Sequence, residues 1–147
     1  MGQLNHSPSD ILRRVLVALS DGTLPSAKAA WPIHSNGMVN KPDSQISVND
    51  TQGRTQGRTM TDGEVITFPG VQIMIRAAKP HTAFTKAGNI VQTLDEDINR
   101  TSVTIDSNEY QIQAVTRTSD PIFLGEEDGS NRHLYAINAI MSVRETT

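Results

Sequence analysis

The stretch "RHLYAINAIMSVRE", Arg132 to Glu145, alternates along its length and sets Tyr135, Ile137, Ala139, Met141 and Val143 on one face. A period of two held over so many residues predicts a strand running across a β-sheet. A chain that contains such a strand must supply neighbours to pair with it and a layer to cover its apolar face.

Neighbours are present. "QISVND" puts Ile46 and Val48 on one face of a strand. In "EVITFPGVQIMIRA", Val65 and Ile66 begin a strand, and Pro69-Gly70 signals a turn or bulge. Val71, Ile73 and Ile75 then alternate with Gln72, Met74 and Arg76. Met74 opposite so much isoleucine predicts a central strand covered on both faces. "SVTID", "EYQIQAVTRT" and "PIFLGE" read as further strands, with Ser107-Asn108 as a tight hairpin turn between the first two.

The covering layer is helical. Pro8-Ser9-Asp10 looks like a helix start, with Ser9 or Asp10 placed to cap free N–H groups. Ile11, Leu12, Val15, Leu16 and Leu19 follow at helical spacing, and Asp21-Gly22 closes the run. A second helix opens at Pro80 or Thr82, with Ala83, Phe84, Ala87, Ile90, Val91, Leu94 and Ile98 as its apolar stripe. Between Thr23 and Asp43 the pattern weakens. Trp31 precedes a proline, which favours extended backbone, so Trp31-Pro32-Ile33 reads as a short strand-like piece with the indole against the first helix.

The order helix, strands, helix, strands predicts an α+β fold, one domain over residues 1–147. It consists of a mostly antiparallel sheet with two main helices packed on one face. The other sheet face carries Gln72, Gln111, Gln113 and Asn138, so it is either wet or an interface.

Composition narrows the function. A net charge of −3 argues against a protein built to grip nucleic-acid phosphates. With no cysteine there is no disulfide frame, zinc–thiolate site or thiol nucleophile. His6, His34, His81 and His133 lie far apart, with no His-x-x-x-His pair. No apolar run approaches membrane-spanning length, and "MGQLNHSPSDILRR" lacks the order of a signal peptide. The expectation is a soluble protein made in a reducing cytoplasm. Low aromatic content fits a shallow core, or one completed by a partner.

The stretch "DTQGRTQGRTMTDGE", Asp50 to Glu64, doubles TQGR. It has glycines but no Lys-Ser/Thr pair, and a strand follows it where a phosphate loop would lead into a helix. The reading is an extended, mobile connection between strands. Arg54 and Arg58 share it with Asp50, Asp62 and Glu64, so no single-sign field for nucleic acid builds up. The mix fits a rim that pairs with charges on a neighbouring chain. Asp95 to Asp97 read as solvated acids at a helix end, "GEEDGS" as an acidic turn whose spacing is wrong for calcium. Tyr110 and Tyr135 read as strand rings with edge hydroxyls, His133 as a polar strand end. There is no Gly-x-Ser-x-Gly elbow. No enzyme, cofactor or metal site is expected.

A helix near the start, "WPI", "ISVNDT", "GRTMTDGEVITFPGVQIMIRA" and "AFTKAGNIVQTLDE" occur in this order. The series resembles the tail terminator (tail completion, or minor capsid) proteins of long, non-contractile-tailed bacteriophages. The likeness runs from about Ile11 through Val143 and is strongest from Asp50 to Leu94, centred on Asp62 through Arg76. It implies an α+β virion subunit that forms a ring, a hexamer, at the head-proximal end of the tail tube. That ring would end tube polymerisation and meet the tail tube protein and the head-tail connector or head-closure protein. DNA would cross it without sequence-specific binding, and no membrane is involved. Arg54, Arg58, Asp62, Glu64 and Arg76 are the candidate subunit-interface residues. The doubled TQGR makes the segment before "MTDGE" longer than the pattern, so its contacts do not transfer residue by residue. Another neck or head-closure protein, or a small ligand- or nucleic-acid-binding domain, are the alternatives.

Overall fold

Ser7 opens the first helix: its hydroxyl accepts from the Asp10 N–H, and Pro8 takes the first helical position, where no N–H is needed. The cap is thus two residues earlier than Ser9 and three earlier than Asp10, which are freed for other bonds. This helix, α1 (Pro8–Ala18), ends at Leu19. The structure, a computed structural model, describes residues 6–19, 21–24, 31–38, 43–58, 65–98, 100–127 and 132–145, without the side chains of 54–58, 65–67, 127, 144 and 145.

Seven strands follow: β1 (Ile33–Ser35), β2 (Gln45–Arg58), β3 (Val65–Ala77), β4 (Ser102–Ile105), β5 (Asn108–Arg117), β6 (Ile122–Glu127) and β7 (Arg132–Glu145). A second helix, α2 (Pro80–Gln92), stands between β3 and β4 and runs into a single π-helical turn, Thr93–Asp97. The sheet order is β1-β2-β3-β7-β5-β4, and β6 also pairs with β7. All pairings are antiparallel except β1 with β2. The fold is therefore α+β, as the periodicity implied.

Register explains the core. Ile46 faces Ile75, Val48 faces Ile73, and Ile73 faces Ile137, so one sheet face carries an unbroken apolar field. Ile11, Leu12, Val15 and Leu16 of α1 and Ala83, Ala87 and Ile90 of α2 are fully buried in the same cluster. Both helices thus cover one face. Helix α1 meets β1 and β2 on one side and β4 on the other; the sheet curls about it, in keeping with strand twist.

Two polar ties fasten this helix at its start. Asp50 accepts from the Ser9 N–H at 2.9 Å, the Ser9 hydroxyl at 3.0 Å and the Asn36 amide at 2.8 Å. His6 Nδ1 meets the hydroxyl of fully buried Tyr110 at 2.6 Å. The Tyr110 hydroxyl therefore lies inside, and does not reach an edge.

Other expectations shift by a residue or more. The β4–β5 turn is Asp106-Ser107, both at positive φ, which is the backbone of a type I′ hairpin turn. Trp31 has φ 53° where extended backbone was expected before proline. Its carbonyl accepts from the Thr23 N–H, which draws the chain back toward Gly22. Lys86 of α2 lies over its ring at 5.3 Å from the centroid. Gly125 to Glu127 belong to β6, so that part of the acidic "GEEDGS" is strand; 128–130 lie outside the described residues. Met74 is half-buried: its strand is central, and its second face is only partly covered.

Candidate functional site

The largest departure from the sequence reading is at Asp50 to Glu64. Residues 50–58 continue β2 as one strand and pair with β3 as far as Val65, so most of the expected mobile loop is a ribbon. Alternation could not reveal this, because glycine, threonine, glutamine and arginine fill the segment, and the strand rests on backbone pairing. Residues 59–64, with Asp62 and Glu64, lie outside the described residues.

The ribbon has two halves joined at a bulge. The register slips between Thr51 and Arg54, where Gly53 sits across from Phe68 to Gly70. A Cβ on Gly53 would run into the Phe68 carbonyl, and one on Gly70 would come within 2.6 Å of the Thr51 hydroxyl. Two glycines thus let the backbones close on each other here. On the near side, β3 pairs with β7 from Gly70 to Ala77. On the far side, among the described residues, Arg54–Arg58 and Val65–Phe68 pair only with each other. This far half is an arm that leaves the sheet.

Of the candidate interface residues, Arg54 and Arg58 lie on the arm, opposite Phe68 and Val65. Arg76 lies elsewhere, on the base of the hairpin. It is 3% exposed, and its Nε donates to the Asp43 carbonyl at 3.1 Å. Arg132, also buried, reaches the Asp43 carboxylate. Arg76 therefore holds the chain before β2 against the second sheet face, and is spent within the subunit.

A second surface was not legible as a site. Phe84 on α2 and Phe123 on β6 are each about half exposed. Both lie against Tyr135, with ring centroids 5.8 and 5.2 Å away, and Phe123 stacks on His133 at 6.3 Å. Ile122 and Leu124 beside Phe123 are exposed as well. Phe84 counted as core in the helical stripe, yet it falls at the rim of the helix–sheet contact. The available signal was the unbroken Ile122-Phe123-Leu124 run, in which apolar residues do not alternate.

The titratable groups serve the fold. Arg117 of β5 donates from Nε and Nη2 to both oxygens of Asp95, at 2.9 and 3.0 Å. The hydrogen bond from Arg117, aided by its charge, holds the Asp95 carboxyl below the usual carboxylate range. Asp95 was expected to be merely solvated; the π-helical turn brings it to the arginine. Burial pushes the Asp21 carboxyl up, against a hydrogen bond from Thr93 and the charge of Lys86. His34 is pushed down by burial and by Arg13 and Arg76. Among the described residues no cluster of His, Asp and Glu could hold a metal ion, and no helix is long and apolar enough to cross a membrane. No protein-family model matches the chain, and no curated protein matches it significantly.

Proposed function

We propose that this chain is a structural subunit that completes itself by contact with copies of itself, and that its setting is a bacteriophage tail. In this reading it forms a ring, a hexamer, at the head-proximal end of the tail tube. The ring stops tube growth, seats the connector and lets DNA through its centre. The resemblance over Asp50 to Leu94 supplies the setting. The observation that supports self-assembly is the arm. A two-stranded ribbon is marginal in water by itself, and fixing backbone costs about 1–2 kcal/mol per residue. A ribbon that leaves its own sheet is best accounted for by a neighbour that covers it. The mild acidity of the chain suits a conduit that does not hold DNA.

The experiment is electron microscopy of particles made without this protein, beside the mass of the purified chain. Overlong or unattached tails are the expected result. Filled heads that leak DNA would assign the chain to head closure instead. Normal particles would end the virion reading.

A further inference from the structure

We propose that the arm of one subunit docks on the outer edge of β6 in the next copy, with the aromatic patch as its seat. This rests on the ring reading and specifies which surfaces meet.

The patch is anomalous for this chain. Only three phenylalanines, two tyrosines and one tryptophan occur in 147 residues. Two phenylalanines and a tyrosine gather at the surface around Phe123, while the buried core is mainly isoleucine, valine, leucine and alanine, with Tyr110 as its aromatic ring. Aromatic rings grouped on a surface are the usual anchors of protein contacts. The strand that carries Phe123 is also open. Among the described residues β6 pairs only with β7, leaving its other edge without a strand. Its first half, Ile122, Phe123 and Leu124, carries none of the charges that normally blunt such edges; these stand only at its end, at Glu126 and Glu127.

The arm matches that edge in three respects. First, among the described residues no further strand pairs with its outer edges: β1 pairs with β2 only as far as Val48, and β7 with β3 only from Gly70. Second, the lengths agree. Arg54–Arg58 spans about 17 Å and Ile122–Glu127 about 20 Å at the rise of a strand. Third, the charges are opposite. The arm carries Arg54 and Arg58, whereas β6 ends in Glu126 and Glu127. The nearby Arg117 is already taken up by Asp95 and Asp120.

Placement makes the contact head-to-tail. The arm departs past the Gly70–Ile140 pair, on the β3 side of β7. Strand β6 lies on the other side of β7, against its opposite end, Arg132 to Ala136. A subunit therefore offers the two surfaces at diagonal corners of its sheet. Each copy can use both at once, which a ring requires together with a rotation that closes. Strand addition supplies the backbone bonds, and the patch supplies the specificity.

The test uses the absence of native cysteine. Leu124→Cys is made in one full-length chain, and Thr55→Cys or Gln56→Cys in another. Both positions are tried because the side chains of a strand project to its two faces and the register shifts between Thr55 and Gly57. Mixed proteins treated with a short thiol cross-linker should give a covalent pair from one arm variant with Leu124→Cys. In parallel, R54E/R58E should weaken association at least about tenfold, and mixing with an E126R/E127R chain should restore it. Phe123→Asp should weaken association without unfolding the monomer, as read by circular dichroism. Rings that form without the cross-link and survive these variants would overturn the docking and leave the ring reading intact. A cross-link with charge rescue, but in closed dimers, would uphold the docking and overturn the ring. Failure to associate under any condition would overturn both.

Discussion

The two halves of the β2–β3 hairpin share the same strands and the same antiparallel pairing, but their surroundings differ. The base, Gln45 to Asp50 against Val71 to Arg76, lies between β1 and β7 with Ile46, Val48, Ile73 and Ile75 fully buried beneath the helices. The arm, beyond Gly53 and Gly70, has the ladder and, among the described residues, no third strand. Backbone pairing alone thus continues a strand past its core. Side-chain burial decides which part of it the subunit itself stabilises.

Several substitutions would break or sharpen this contrast. The largest effect belongs to the base. Ile73→Ala should cost about 2–5 kcal/mol in urea unfolding of the monomer, and the backbone amides of Arg54–Arg58 should exchange well before those of Gln45–Asp50. Equal protection would mean that the arm is part of the folded core. Next comes the bulge. Gly53→Ala sets a Cβ against the Phe68 carbonyl and should cost about 1–3 kcal/mol, the range of overpacking. Amide exchange should then quicken in the arm first.

A smaller loss tests the upper limit of the base. Asp50→Ala removes the acceptor shared by Ser9 and Asn36 and should cost about 1–2 kcal/mol, with α1 fraying from Ser7. No loss would show that helix packing alone fixes α1. The smallest effects lie away from the hairpin and are read against pH. Asp21 has a raised folded value, so its stabilising contribution is present below the unfolded value and is lost as pH rises through the folded one. Asp21→Asn should therefore raise the melting temperature at neutral pH by about 2–4 °C, and leave it unchanged in acid. Asp95 has the opposite sign: its contribution, present above the unfolded value, is lost as pH falls through the depressed folded one. Arg117→Ala should flatten that acid limb.

The sequence made the base legible because burial imposes alternation. Ile46 and Val48, then Val71, Ile73 and Ile75, announce a face that must be covered, and the stripe of α1 announces its cover. Where no core lies beneath, the pattern disappears: the arm carried no alternation and read as a loop. Caps and turns missed by one to three residues, because Ser7 and Ser9, or Asp106 and Asn108, are chemically interchangeable at such positions. Among the candidate site residues, Arg54 and Arg58 sit on the arm, whereas Arg76 lies beneath the chain at Asp43. Composition could not tell which arginine is folded inward, as Arg76 is. The aromatic patch escaped because Phe84 satisfies helical spacing as well as a core residue does.

Strand β7 carries one more implication, for biosynthesis. It is the common partner of β3, β5 and β6, yet it leaves the ribosome after all of them. Until Arg132 to Glu145 has been made, the earlier strands form three pieces, β1-β2-β3, β4-β5 and β6, with no spine between them, and closure waits on the most distant contacts in the sheet. A nascent chain stalled before Arg132 should stay open to protease, and one stalled well beyond Glu145 should resist it. On the proposed ring reading, copies would then meet only as finished subunits.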